Sequence, residues 1–312
     1  MSKFVVCGIT QLETIVKVPK IPVEYAKFTA SKDYIYTAAG GDAFNISLAL
    51  TSLGDEVDFM SVVGKGQNLG IFNPPDRTIT LSTDHILPIL KETPMEVMFF
   101  DGERREQKFE DLKDIRDAQY DISLVEKAIP ESDMVFLSNV NYCRPFIKIA
   151  LDNNKPLAVR IHSFHREKEK YNEDYLKAAS ILYFSDSNIE DDPYDFVNEM
   201  AEKYDPMIIL IGQGAGGVLL YDKEKDIKIH YDPVKAGTVL NAAGAGNALF
   251  ACFLHYYQKN GDSKEAIHKA LMFTANKIGY IGTSNGFMTE DQLEQWERLI
   301  FDPRDTRRFR TM

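Results

Sequence analysis

The sequence has 312 residues, of which 44% are apolar and 27% charged, the balance of a globular protein rather than a disordered one. Its net charge of −11 argues against general nucleic-acid binding, which relies on Lys and Arg neutralising phosphates. No apolar stretch approaches the ~18 residues of a membrane span, and the amino terminus is unlike a signal peptide, so we expect a cytoplasmic protein.

The three cysteines do not form a C-x-x-C motif and lie far apart, in apolar surroundings, at Cys7, Cys143 and Cys252. We predict that they are buried structural thiols.

Short β-branched runs alternate with helical segments, which predicts an α/β fold with a mostly parallel central sheet flanked by helices. The predicted core strands are, in chain order, 3–8, 57–63, 134–138, 156–161, 180–184 and 207–212. The helices between them are predicted at 42–54, 122–129, 145–153, 172–179 and 193–203. After residue 244 the chain is strongly helical, with further helices at 263–281 and 289–298. We expect one domain over 1–312.

Two segments interrupt this alternation, at about 10–38 and 85–112, and both are rich in strand-forming residues. Two strand-rich insertions that leave the same sheet are predicted to meet as a small lid over its edge. Because apolar strand edges tend to pair, a homodimer formed through this lid is an expectation as well.

A glycine cluster at 212–217 superficially suggests a dinucleotide-binding turn, but that motif must open a helix. Here the cluster continues into the strand-like segment 218–222, a polar turn and the segment 227–229. The pattern therefore predicts a β-hairpin.

The segment 239–250 combines a strand end, small residues with Gly244 and Gly246, and a long apolar helix. Glycines let successive N–H groups point inward, and such groups at a helix N-terminus bind anions. An ordinary turn that merely starts a helix is an equally good interpretation of this spacing. The segment is neither a phosphate-binding G-x-x-x-x-G-K motif nor a full G-x-G-x-x-G, since Leu249 occupies the third glycine position.

This segment resembles the C-terminal signature of the ribokinase/PfkB family, whose G-A-G-D turn carries the anion hole and the catalytic aspartate. Gly40-Gly41-Asp42-Ala43-Phe44-Asn45 is similar to the N-terminal G-G-x-x-x-N signature of the same family. The segments 63–70 and 208–218 match further elements in the right order. The resemblance implies a ribokinase-like fold, with ATP and Mg²⁺ as cofactors. It also implies phosphoryl transfer to a hydroxyl of a sugar, a nucleoside or a related small molecule.

The resemblance also implies roles for individual residues. The amides of the turn would hold the transferred phosphoryl group, and these are Ala243, Gly244, Ala245 and Gly246. Substrate contacts are expected from Gly40, Gly41 and Asn45, with Glu13 or Asp42 in place of an early aspartate and Arg160 where relatives have an aspartate. Gly212, Gly214 and Asn276 are expected near the nucleotide, and Glu190 is the candidate metal ligand.

The chain departs from the family pattern at Asn247, which occupies the position of the catalytic base. An amide can orient a hydroxyl but cannot take its proton, and general base catalysis is worth about 10²–10⁴-fold. We therefore predict an impaired kinase. A natural change, an engineered replacement and rescue by another carboxylate all remain open. The alternative function is a non-catalytic protein that binds a sugar or nucleotide. Arg104 and Arg105 join Arg160 as candidates for binding a phosphorylated substrate.

Overall fold

Strands and helices alternate along most of the chain in the computed structural model, which describes residues 1–27, 35–75, 77–101, 106–235 and 237–300. The strands within these ranges are β1 (Lys3–Cys7), β2 (Gln11–Lys17), β3 (Ile35–Gly40), β4 (Glu56–Gly64), β5 (Ile86–Leu90), β6 (Met95–Phe100), β7 (Glu106–Asp111), β8 (Met134–Ser138), β9 (Leu157–Arg160), β10 (Ile181–Ser185), β11 (Ile208–Gly212), β12 (Val218–Asp222) and β13 (Ile227–Tyr231). The helices are α1 (Asp42–Ser52), α2 (Ile122–Glu131), α3 (Arg144–Asp152), α4 (Glu173–Ala178), α5 (Pro193–Tyr204), α6 (Ala245–Asn260), α7 (Ser263–Lys277) and α8 (Glu290–Ile300). Arg104, Arg105 and the arginine-rich end of the chain lie outside the described residues.

The larger sheet has nine strands in the order β13-β12-β11-β10-β9-β8-β1-β4-β5. Its strands from β11 to β5 run parallel, and β12 and β13 extend one edge as the antiparallel hairpin that the sequence predicted. Central strands such as β11 are buried along their whole length, as expected for a sheet covered on both faces. The predicted α/β class with a mostly parallel sheet is confirmed.

Alternate residues of the central strands pack into two apolar layers. In β1, Phe4 and Val6 face the layer that contains α1, α6 and α7, whereas Val5 and Cys7 face the layer of α2 to α5. This division follows from the two-residue period of a strand. All three cysteines are buried, as predicted, and Cys7 contacts Cys143 with the two sulfur atoms 3.4 Å apart.

The second sheet has four strands in the order β3-β2-β6-β7, and we call it the lid sheet. It draws β2 and β3 from the first predicted insertion and β6 and β7 from the second. The second insertion is shorter than the expected 85–112, because Ile86–Leu90 pairs in parallel with β4 and so belongs to the larger sheet.

The helix predicted at 263–281 ends at Lys277. Within the described residues, no helix combines the length and apolar character that crossing a membrane requires.

Candidate active site

A cavity of about 290 Å³ lies between the carboxyl ends of the central strands, the start of α6 and the inner face of the lid sheet. Arg160, Ser185 and Gly212 end three neighbouring parallel strands, and all three line it. Ligands of open α/β sheets bind in such a crevice beyond the strand ends. Residues 41–45 and 242–247, which are far apart in sequence, meet here.

Gly244 shapes the turn that precedes α6. It has a left-handed conformation with φ of 78°, and a Cβ at this position would lie 2.5 Å from the carbonyl oxygen of Thr283. Both the backbone angle and the close approach of Thr283 therefore require glycine. The turn places Ala245, Gly246 and Asn247, the first residues of α6, in the lining of the cavity.

Two of the four amides that we expected to hold phosphate are already engaged. The N–H of Ala243 donates to Asn241 Oδ1 at 3.1 Å, and the N–H of Ala245 donates to the carbonyl of Ala242 at 3.1 Å. The N–H groups of the other two, Gly244 and Gly246, and that of Asn247 have no acceptor among the described residues. They are therefore the groups best suited to an anion, at the positive end of the helix dipole.

Arg160 brings a cation to the same turn. A Cβ at Gly246 would stand 3.5 Å from Arg160 Nη2, so the guanidinium lies against the helix N-terminus. The guanidinium also stacks on Tyr183, 5.5 Å from the ring centroid, and its Nη1 donates to His162 Nδ1 at 3.2 Å. Its Nε is buried without a partner. A planar guanidinium in this position suits a phosphate oxygen pair.

Asn247 lines the cavity and is only 8% exposed. Its side-chain oxygen, Oδ1, is buried and accepts no hydrogen bond from the described protein. A buried acceptor without a donor costs free energy unless a ligand supplies one. Asn247 can therefore accept a hydrogen bond from a bound hydroxyl, but a neutral amide has no basicity to remove its proton.

The opposite wall is built around Glu13. Its Oε1 accepts hydrogen bonds from the amide of Gly41 at 2.9 Å and from Gln11 Nε2 at 3.2 Å, and its Oε2 accepts one from the hydroxyl of Thr283. A Cβ at Gly40 would lie 2.1 Å from this carboxylate, so glycine is what lets Glu13 approach the backbone. Glu13 thus ties the lid sheet to the start of α1.

Asn45 completes this wall from the first turns of α1. It is 1% exposed, it lines the cavity, and its Oδ1 lies 3.4 Å from the hydroxyl of Thr283. Its amide group is available to a substrate hydroxyl from this position.

Asp42 lies at the floor of the cavity. Its Oδ1 accepts from the amides of Ile9 and Ala43 at 3.2 and 2.7 Å and from the hydroxyl of Ser138 at 2.7 Å, whereas its Oδ2 is buried without a partner. Burial raises the pKa of this carboxyl, and the charge of Arg160 opposes the rise only in part. Unlike the amide of Asn247, this carboxyl in the same cavity is a group able to take a proton.

The lid sheet adds residues that the sequence analysis did not single out: Glu96, Glu106, Lys108 and Glu110. Burial raises the pKa of Glu96 to about 7, with the charges of Glu13 and Glu110 adding to the rise. The signal was present in the sequence, since all four lie in the segment 85–112 predicted as strand-rich, where Glu106, Lys108 and Glu110 alternate with other residues. Which face they occupy depended on a strand register that the sequence does not reveal.

Other predicted residues lie elsewhere. Gly212 and Gly214 line the cavity, but Asn276 does not, and its Nδ2 donates to the carbonyl of Gly286 at 2.9 Å. Glu190 lines a separate cavity beside Arg166.

Among the described residues, the donors required for a magnesium ion held by the protein alone are not assembled. The described part of the chain has no group of three His, Cys, Asp or Glu side chains placed to hold a metal ion. Glu190, the predicted metal ligand, lies in a different cavity from the glycine turn. The described residues around the turn therefore do not fit a metal ion that is held by the protein alone.

Known sugar and nucleoside kinases resemble this chain in sequence and in fold. No protein-family model matches the chain. It is 28% identical to a deoxyribokinase of Salmonella typhi over 91 residues, a match that spans 29% of each protein. It is also 21% identical to a fructosamine kinase of Bacillus subtilis over 252 residues, covering 78% of this chain and 84% of that one.

Solved structures extend the likeness to nearly the whole chain. A microbiome-derived acarbose kinase superposes with a TM-score of 0.80 at 19% identity, over 94% of this chain and 98% of that one. The ribokinase of Arabidopsis thaliana, solved with ribose and ATP, superposes with a TM-score of 0.75 at 14% identity over the same shares. The nucleoside kinase of Burkholderia thailandensis, solved with ADP-inosine, gives 0.74 at 15% identity over 96% of each chain. The chain therefore has the ribokinase fold that its two glycine signatures predicted.

Proposed function

We propose that this chain binds ATP and transfers its terminal phosphoryl group to a hydroxyl of a sugar or a related small molecule, slowly because Asn247 replaces the usual base. The observation that carries the proposal is the shared cavity that joins the amides of Gly246 and Asn247 to the polar wall of Glu13 and Asn45. One part offers an anion site and the other offers hydrogen-bonding groups for hydroxyls. Deoxyribokinase and fructosamine kinase relatives support this proposal.

In this proposal the phosphates lie at the start of α6. The N–H groups of Gly246 and Asn247 and the guanidinium of Arg160 neutralise charge on the terminal phosphate. Phosphoryl transfer depends mainly on such positioning and charge stabilisation. Asn45 and Glu13 orient the attacking hydroxyl from the other side.

The rate depends on whether a side chain accepts the proton of that hydroxyl. Asn247 orients the hydroxyl without accepting the proton, which removes a contribution of about 10²–10⁴-fold. Asp42 is the carboxyl that supplies residual catalysis, because its Oδ2 is buried and unpaired in the same cavity. We accordingly expect weak activity rather than none.

The test is an ADP-release assay over a panel of sugars and nucleosides. It compares the wild type, Asn247→Asp and a control, Asn260→Asp, at the other end of the same helix. Asn247→Asp is expected to raise the rate by about 10²-fold or more, and the control is expected to leave it unchanged. A wild type that is as fast as Asn247→Asp would overturn the impairment.

The alternative is a binding protein without catalysis, which the uncharged Asn247 favours. This alternative predicts that calorimetry detects ATP binding to both the wild type and Asn247→Asp, while neither of these two proteins releases ADP. Failure of both proteins to bind ATP would overturn the kinase function, and failure to bind both ATP and every sugar and nucleoside of the panel would overturn the binding function too.

We further propose a cytoplasmic homodimer formed through the outer face of the lid sheet. Ile35, Met95 and Phe109 expose 69%, 41% and 55% of their surface on three strands of this sheet, an apolar patch suited to a second copy. Sedimentation of Phe109→Glu is expected to show a monomer where the wild type is a dimer. A monomeric wild type would contradict this assembly.

A further inference from the structure

Three glutamates form one row across the inner face of the lid sheet. Glu13 of β2 pairs with Glu96 of β6, and Glu96 pairs with Glu110 of β7. All three side chains line the cavity. Adjacent strands are about 4.8 Å apart, and like charges placed directly opposite each other destabilise a sheet. A row of this kind is retained against its cost only where something neutralises it.

The described protein neutralises this row incompletely. Glu13 accepts three hydrogen bonds, whereas Glu96 is 7% exposed, has no cation within 4 Å among the described residues and is helped by the more distant charge of Lys108 and by the side-chain amide of Gln11. Within 4 Å of Glu110 the described residues offer one basic side chain, the imidazole of His162 at 3.7 Å, and burial together with the charges of Arg160 and Lys108 lowers the pKa of that imidazole to about 3. His162 is therefore neutral at pH 7.

The other charged side chains that face the row leave the cavity with more acidic groups than basic ones. Lys108 belongs to the next inward-facing row of β7, and Lys277 approaches Glu13 from α7 while donating to the carbonyl of Gly282. Among the described lining residues, the acidic ones are Glu13, Asp42, Glu96, Glu106 and Glu110, whereas the cationic ones are Lys108 and Arg160. The described lining of the cavity thus has five acidic side chains and two basic ones.

Unpaired atoms in the cavity point to the chemistry of its ligand. Gln11 and Asp42 are each 5% exposed, and each has one buried oxygen, Oε1 and Oδ2, without a partner. Both oxygens are hydrogen-bond acceptors, so the ligand must bring donors to this wall. A neutral polyol brings hydrogen-bond donors but does not balance the excess of acidic side chains. A protonated amine brings donors and a positive charge.

A metal ion fits the row poorly. Glu13 and Glu110 are two strand spacings apart, about 10 Å, while carboxylates around one divalent cation lie about 2.0–2.6 Å from it. No described group of three acidic, His or Cys side chains meets that requirement. An extended organic cation can contact several members of the row.

We propose that the substrate of this cavity carries a protonated amine on a sugar-like body, and that Glu96, at the centre of the row, binds the amine while Glu13, Glu110 and Asp42 make its surroundings acidic. The inference rests on the proposed function, because it places this substrate beside the phosphate site. The raised pKa of Glu96 agrees with it, since burial and the neighbouring carboxylates disfavour its charge until a cation arrives. Glu96 loses its proton as pH rises through about 7, so amine affinity is expected to increase from pH 6 to pH 7, a range in which the amine of an amino sugar is still mostly protonated.

Calorimetry with matched ligands tests the proposal. The pairs are 2-amino-2-deoxyglucose with glucose and 1-amino-1-deoxyfructose with fructose, each at pH 6 and pH 7. We expect at least one amine to bind about tenfold or more tightly than its neutral partner at pH 7. Glu96→Gln should lower amine affinity about tenfold and leave the affinity for neutral sugar unchanged. Glu126→Gln, on the exposed face of α2, removes the same charge outside the cavity and should change neither.

Equal affinities within both pairs, no binding of either amine, or full amine affinity in Glu96→Gln would overturn the inference. ATP binding is titrated separately on the same samples. If ATP binds while amines show no preference, only the substrate class is wrong. If an amine binds selectively and ATP does not, the kinase function is wrong and the amine site stands.

Discussion

Arg160 lies against Gly246, so closely that a Cβ at Gly246 would be 3.5 Å from Arg160 Nη2 and 2.7 Å from the hydroxyl of Tyr183. The end of β9 thus delivers a guanidinium to the first turn of α6, where backbone N–H groups already favour an anion. Positive charge from a side chain and from the helix terminus therefore meets at one point of the cavity.

Replacement of Arg160 by Ala should weaken ATP binding selectively. Loss of a charge-assisted contact costs about 1.5–3 kcal/mol, or roughly 10–100-fold in affinity. AMP lacks the terminal phosphates, so the substitution should lower the affinity for AMP much less. Calorimetric titration of ATP and AMP into the variant measures both, with Arg298→Ala on the exposed surface of α8 as the control. Unchanged ATP affinity in Arg160→Ala would place the phosphates elsewhere.

The two left-handed glycines that flank α6 provide a matched pair. Gly261 has φ of 71° and open space where a Cβ would stand, so Gly261→Ala should cost only about 1–2 kcal/mol of stability. Gly244 has φ of 78°, and Gly244→Ala adds a clash with the carbonyl of Thr283. We expect a larger loss of unfolding free energy and loss of ATP binding in Gly244→Ala alone, measured by urea denaturation and calorimetry. Equal effects of the two variants would show that the turn tolerates a side chain.

The pH dependence of stability should reveal Glu96. Its pKa is raised from 4.5 to about 7 by burial and by the neighbouring carboxylates, so between these values the folded protein holds more protons than the unfolded chain. The free energy of unfolding therefore falls as pH rises from about 4.5 to 7, by about 3 kcal/mol at most. In Glu96→Gln the free energy of unfolding should not fall in this way, so the variant should be more stable than the wild type at pH 8. Urea denaturation across this range measures it, and a wild-type slope retained in Glu96→Gln would contradict the assignment.

Thr283 should affect sugar binding through Glu13. Its hydroxyl donates to Glu13 Oε2 and also lies near Asn45, so it holds the two side chains of the polar wall in place. Thr283→Val keeps the shape but removes the donor, and the lost hydrogen bond is worth about 1 kcal/mol. We expect the affinity for the preferred sugar to fall about fivefold while ATP affinity remains unchanged, as measured by calorimetry. An equal loss for both ligands would indicate general disruption of the cavity instead.

Several features of this protein follow from short stretches of sequence. The glycine turn before α6, the Gly40–Gly41 start of α1 and the hairpin after Gly212 depend on neighbouring residues, because backbone freedom and hydrophobic period are local properties. The same local patterns predicted the buried strands and the strand-rich character of the lid.

The partners of individual side chains depended on distant parts of the chain. Asn276 bonds to Gly286 rather than lining the cavity, Ala243 gives its amide to Asn241, and Ile86–Leu90 joins the larger sheet. Nothing in the local sequence distinguishes these outcomes, since each depends on which surfaces the fold brings together.

The row of glutamates shows most clearly which features depend on local sequence and which depend on the tertiary structure. The sequence alone determined that Glu13, Glu96 and Glu110 belong to strand-rich segments, because alternation along a strand is written in adjacent residues. Only the tertiary structure decided that they stand side by side, because Glu13 lies more than eighty residues before its neighbours and strand register is set by the pairing of whole segments. The charge of the cavity, and with it the substrate that we propose, is a consequence of that register.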